Sequence, residues 1–177
     1  MAIDGAGRLY IADNTAVRVV SAAGTISTAV PFGGGGVAVD GGGNLYVVDY
    51  SRVRRVSPSG TVTTVAGGTG IIGQSGDGGP ATSAAFIGPT AVGLDGSGNL
   101  YIGDVSRVFK VSPDGIINTV AGGGKNDPGD GGPATSAQIA VLSISLDSAG
   151  NLYIAGYARV RKVSPDGTIT KVAGNGN

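Results

Sequence analysis

Aspartate and arginine carry most of the chemistry this chain can offer. All 12 acidic residues are Asp, and eight Arg with four Lys balance them to a net charge of zero. The chain has no His, no Cys and no Glu. It therefore lacks the usual general base, the commonest metal ligand, every thiol nucleophile and any disulfide. The aspartates recur at set places. Asp4, Asp40, Asp95 and Asp147 each end a short apolar run and open a Gly-rich stretch. A ring of carboxylates could do acid–base work, but an Asp that bonds its own turn explains the pattern more simply. Asp49 with Arg52, and Asp104 with Arg107, stand three residues apart and suit ion pairs that lock a turn, worth little if fully exposed. Gly156 replaces the matching Asp ahead of Arg159, which leaves Arg159 free to meet a ligand anion or another chain.

Asp77, Asp127 and Asp130 lie among glycines, where oxygen ligands suit calcium. Their spacing is not that of an EF-hand loop, so calcium is the weaker reading and no cofactor is assigned. No GK[ST] follows these glycines, so a phosphate-cradling loop is not indicated. Tyr10, Tyr46, Tyr101 and Tyr153 each follow a Leu and suit packing, whereas Tyr50 and Tyr157 fall in turns and suit exposed contacts. The candidate ligand or partner contacts are thus Tyr50, Arg52, Asp77, Arg107, Lys125, Asp130, Tyr157 and Arg159. No catalytic or metal-ligating residue is assigned.

A repeat positions these residues. VAVDGGGNLYVVDYSRVRRVSPSGTVTTVAG (37–67) returns at 91–122 and 143–174, with a worn copy at 1–30. Self-similarity at this period marks a repeat architecture. Within a copy, four short β runs alternate with turn signals: Val37–Val39, Leu45–Asp49, Val53–Val56 and Thr61–Val65. Four antiparallel strands in a meander cannot cover both faces of their own sheet, and stacking such sheets radially does so. The expected fold is an all-β, single-domain propeller of four-stranded blades at about 1–30, 37–67, 91–122 and 143–174. The 35 glycines fall between β-branched runs at repeated places, which argues against disorder. Two long inserts, 68–90 and 123–142, share GDGGPATSA. Each is expected to be ordered, with one helical turn after its Pro, anchored by Phe86 or Ile139.

The sequence VAVD, then NLYVVD, RVRRVSPSG and TVTTVAG, resembles the NHL repeat over nearly the whole chain. The GDGGPATSA inserts resemble those of bacterial NHL-repeat proteins, often extracellular, so the resemblance implies an extracellular or cell-surface setting. It also implies a β-propeller, commonly of six blades, acting as a binding scaffold. The first copy departs from the pattern with Ala22-Ala23 in place of Pro58-Ser59, and the fourth with Gly156. Propellers that resemble this one include lyases and lactonases, which as families lean on His, Glu or metal clusters; a hydrolase or lyase is the less favoured reading. RNA binding, known for some NHL propellers, calls for a basic face that a neutral chain supports poorly. No polybasic membrane patch, no apolar run of about 18 residues and no signal peptide is visible.

The expected function is a non-catalytic binding or scaffold module for an unknown protein or small molecule. The alternative is a purely structural or engineered propeller fragment. Both chain ends fall between blades, so blades 1 and 4 would each expose an apolar face. A four-bladed ring, an open arc and a head-to-tail pair closing eight blades are the available outcomes. The homodimer is favoured, because eight blades depart less from six than four do.

Overall fold

In the computed structural model, residues 1–70, 73–74 and 76–175 are described; Ile71, Ile72 and Ser75 of the first insert, and the final Gly176 and Asn177, lie outside the described residues. The chain is all-β, with four antiparallel four-stranded blades arranged as a β-propeller. Blade 1 holds β1 (Ala2–Ile3), β2 (Leu9–Ala12), β3 (Val17–Val20) and β4 (Ile26–Val30). Blade 2 holds β5 (Val37–Val39), β6 (Leu45–Asp49), β7 (Arg52–Val56) and β8 (Val62–Gly67). Blade 3 holds β9 (Pro89–Leu94), β10 (Leu100–Asp104), β11 (Arg107–Val111) and β12 (Ile117–Gly122). Blade 4 holds β13 (Ser143–Leu146), β14 (Leu152–Ala155), β15 (Val160–Val163) and β16 (Ile169–Ala173).

Each blade is a simple meander in which sequence neighbours pair. The first strands stand inside, with β5 packed beside β1 and β9, and β9 beside β13. Every blade has a register shift between its third and fourth strands, at Val17/Arg18, Val53/Arg54, Val108/Phe109 and Val160/Arg161. Such a bulge increases local twist, and it recurs at the same place in all four sheets. In blades 2, 3 and 4 a glycine in the left-handed region ends the fourth strand or directly follows it, at Gly67, Gly122 and Gly174. A Cβ at these positions would lie 2.1–2.4 Å from the carbonyl oxygens of Ser51, Ser106 and Ala158, so only glycine fits the close approach.

The core consists of three apolar layers, each between consecutive blades. Blades 1 and 2 bury Tyr10, Val17 and Val30 against Leu45, Val47 and Val56. Blades 2 and 3 bury Val48, Val53 and Ala66 against Leu100, Ile102, Phe109 and Ile117. Blades 3 and 4 bury Val108 and Ala121 against Leu152, Ile154, Val163 and Ile169. In each of the three layers the Tyr face of one blade meets the Leu face of the next.

The described residues of the inserts are folded, as expected. One turn of 3-10 helix follows each Pro, at Ala81–Ser83 and Ala134–Ser136. Phe86 (0% exposed) and Ile139 (7%) anchor them between blades. Each GDGG segment also pairs with the outer strand of the blade that follows. The Ile117 amide donates to the Gly79 carbonyl and the Ile169 amide to the Gly132 carbonyl. This covers the outer edges of blades 3 and 4, and Ile117 and Ile169 are fully buried. Blade 2, reached by a short link, leaves Val62 exposed at the same position, and Ile26 of blade 1 is exposed too.

Candidate functional site

The four turn aspartates serve the fold. In Asp40, Oδ1 accepts the amides of Gly42 and Asn44, both at 2.9 Å, while Oδ2 accepts the Asn44 side-chain amide at 2.7 Å. Asp4, Asp95 and Asp147 repeat the pattern with Ala6 and Arg8, Ser97 and Asn99, and Ala149 and Asn151. The tyrosine six residues on donates its hydroxyl to the same carboxylate in all four blades. Hydrogen bonds to the ionised form hold all four carboxyls below the usual range. For Asp4 the main cause is the Arg8 amide, and for Asp147 the Asn151 side chain. Burial pushes Asp40 and Asp95 upward, but their Asn44 and Asn99 bonds outweigh it. Tyr101 is pushed up to about 12, first by burial and then by the neighbouring Asp95 charge.

The second turn of each blade differs from copy to copy. In blade 2, Asp49 is buried (3% exposed) and its Oδ2 lies 2.9 Å from both Arg52 Nε and Arg54 Nε. This is the expected Asp49–Arg52 pair, enlarged by a second arginine. Arg54 also stacks over Phe32 of the short link between blades 1 and 2, 4.7 Å from the ring centre.

Blade 3 corrects the expectation. Asp104 does not pair with Arg107; fully buried, it accepts the backbone amides of Ile87 (2.9 Å), Gly88 (2.7 Å) and Val105 (3.0 Å). The end of the first insert supplies two of those donors, so the carboxylate fastens the insert to the blade. Arg107 instead lies along Gly123, with Nη1 3.5 Å from Thr119 Oγ1. Lys125 and Arg107 share a groove with Gln74, Ser106, Gly124 and Gln138.

Blade 4 corrects the other expectation. Arg159 is not free: its Nη1 pairs with Asp127 Oδ1 of the second insert at 3.0 Å. Arg161, which the sequence reading passed over, is 4% exposed and donates Nη1 to the Gln138 carbonyl at 2.7 Å. Its Nη2 is 3.9 Å from Asp127 Oδ1, and its Nε is 3.5 Å from Asp130 Oδ1 without hydrogen-bond geometry. A pocket of about 190 Å³ opens here, lined by Asp127, Ile139, Ala140, Ile154, Gly156, Tyr157, Ala158, Arg159 and Arg161.

The structure thus brings Tyr157, Arg159 and Asp130 into one region, with Arg107 and Lys125 beside the same insert. Tyr50 and Arg52 belong to blade 2 and stand apart. Tyr50 and Tyr157 are exposed, at 85% and 84%. Asp77 is a clip, accepting the Thr119 amide at 2.8 Å and its hydroxyl at 3.0 Å. Among the described residues, no three acidic side chains gather as a metal site would require. No helix among them is long and apolar enough to cross a membrane. The signal for Arg161 was available in the sequence, as the copy of Arg54 two residues after Arg159; its burial was not.

No family model matches the chain, and no curated protein matches it either. Solved structures do, as propellers. A protein of unknown function from Bacteroides thetaiotaomicron superposes with TM-score 0.67 at 21% identity, over 96% of this chain and 45% of that one. An auxiliary nutrient binding protein from Bacteroides ovatus gives 0.66 at 20%, over 97% and 47%. Virginiamycin B lyase from Staphylococcus aureus gives 0.60 at 13%, over 96% and 53%. The chain therefore spans about half the length of the structures it matches, and the likeness establishes its class, the β-propellers.

Proposed function

We propose that this chain is a non-catalytic binding scaffold of NHL-repeat type that completes its ring by head-to-tail association of two copies. The observation that carries the ring is internal. At the leading face of blade 1, Leu9, Ile11 and Val20 are half-buried, whereas their counterparts in blades 2–4 are 0–8% exposed. At the trailing face of blade 4, Ala173 is exposed where Ala66 and Ala121 are fully buried, and Val172 is 54% exposed where Val65 and Val120 are half-buried. Val160 is half-buried where Val17, Val53 and Val108 are sealed. The same residue types line all these faces, so blade 4 of one copy against blade 1 of another repeats an interface the chain already makes three times.

The binding part of the reading rests on the pocket and exposed tyrosines at the insert end, together with a sequence that supplies no His, Cys or Glu for hydrolase or lyase chemistry. A nutrient-binding protein among the fold neighbours agrees with it. The resemblance to bacterial repeat proteins supports an extracellular or cell-surface setting, and neither nucleic acid nor membrane belongs to the reading. Light scattering across a concentration range tests the ring. Twice the 17.1 kDa chain mass supports it, and a monomer at all concentrations overturns it.

A further inference from the structure

Blades 2 and 3 show two ways of filling the place where blade 4 has a pocket. In blade 2 a carboxylate of the chain itself, Asp49, sits between Arg52 Nε and Arg54 Nε, 2.9 Å from each. In blade 3 the arginine of β7 is replaced by Phe109, which packs edge-on against Phe86 with ring centres 5.5 Å apart, while Asp104 is bound by insert amides. Blade 4 keeps both arginines, Arg159 and Arg161, but has Gly156 for the carboxylate and Ile139 for the Phe86 ring. It has the cations of blade 2 with the exposed Asp127 of the insert in place of a buried turn carboxylate, and the insert of blade 3 without its aromatic seal.

We infer that the blade 4 pocket binds a small organic carboxylate, whose anionic head takes the part that Asp49 plays in blade 2. Arg161 is 4% exposed and its Nε has no hydrogen-bond partner among the described residues. A buried guanidinium donor left unmade is costly, and a ligand oxygen relieves it. Ile139, Ala140 and Ile154 supply an apolar wall for a short tail, and Tyr157 stands at the rim. The open pocket, of about 190 Å³, has room for a ligand of a few heavy atoms. Asp127 is the internal competitor: it pairs with Arg159 at 3.0 Å while its own side chain is 63% exposed, so it can swing away when a ligand arrives. Asp130, 3.5 Å from Arg161 Nε and outside the pocket lining, offsets part of the charge. Ile139 and Ile154 lie in the layer between blades 3 and 4, away from the open faces of blades 1 and 4. The inference names a ligand class for the binding reading and stands apart from ring closure.

The test is titration of the full chain with butyrate, its neutral isostere butyramide, and inorganic phosphate, followed by NMR at the Gly156 and Ala140 amides and the Arg161 Nε–H. Butyrate is expected to saturate with a dissociation constant on the order of 1 mM, and butyramide to leave these signals unmoved. Arg159→Gln is expected to weaken butyrate at least about tenfold. Asp127→Asn is expected to tighten it, up to about fivefold, because a weak ion pair no longer competes. Arg161→Gln is expected to abolish binding; should it fail to fold, the first two variants decide. Equal shifts with butyrate and butyramide, phosphate binding in place of butyrate, or weaker binding in Asp127→Asn would each overturn the inference. The mass of the same sample is read separately, so absent binding in a dimer refutes the pocket and leaves the ring standing.

Discussion

Ile11 offers the sharpest test of head-to-tail closure. It is half-buried on the leading face of blade 1, and its counterparts Val47, Ile102 and Ile154 are 0%, 0% and 2% exposed. Ile11→Asp leaves the carboxylate partly hydrated in a monomer, so folding stability should change by no more than about 1 kcal/mol. In a closed ring the same carboxylate would be sealed without a partner, at a cost of about 3 kcal/mol or more. That weakens each interface by more than about 100-fold, and a two-chain ring contains the altered face twice. Ala173→Asp on the trailing face of blade 4, whose counterparts Ala66 and Ala121 are fully buried, should act the same way. The two variants mixed should do what neither does alone. A pair formed from one of each has one interface carrying both substitutions and one carrying neither. Sedimentation equilibrium should therefore show each variant as a monomer and the mixture recovering dimer through the untouched interface. An Ile11→Asp chain that stays dimeric, or a mixture that stays monomeric beside a dimeric parent, refutes the head-to-tail geometry.

Removing the anchor of the first insert, Phe86→Ala, should cost about 3–5 kcal/mol by denaturant unfolding, since the ring is fully buried against Phe109; a loss below about 1 kcal/mol would show that the insert does not brace the blades. The turn aspartates predict an acid transition. Their folded carboxyls are held below the unfolded value of about 3.9, so their stabilisation is present above that pH and is lost as pH falls through the folded values. The melting temperature should therefore stay level from neutral pH to about 5 and drop below about 4, and Asp95→Asn should shrink the drop. Calcium and a chelator should leave the melting temperature equal, because Asp77 is engaged by Thr119 and Asp127 by Arg159; a rise in calcium would show that the inserts bind it.

The sequence by itself determined whatever depends on short spacing. A repeat of β runs with turn residues at set offsets defines a blade, because strand pairing within a meander is local. The roles of Asp4, Asp40, Asp95 and Asp147 were legible for the same reason: each carboxylate bonds amides two and four residues ahead. Phe86 and Ile139 were legible as apolar residues following a small-residue turn, and Tyr50 and Tyr157 as turn residues left outside. The recurring bulge between third and fourth strands was not, since Val65-Ala66, Val120-Ala121 and Val172-Ala173 are adjacent apolar residues that do not show which of the two pairs.

Tertiary structure alone decided the partners that come from far along the chain. Arg159 finds Asp127, 32 residues earlier, and Asp104 finds the Ile87 and Gly88 amides, 17 and 16 residues earlier. In each case the insert folds back over the second turn of the next blade and brings its own polar groups there. The spacing of Asp104 and Arg107 matches that of Asp49 and Arg52, yet the first pair is apart and the second is joined. Local geometry permits an ion pair in both blades. The nearby insert amides outcompete the arginine in blade 3, while blade 2, reached by a short link, offers Asp49 two arginines instead.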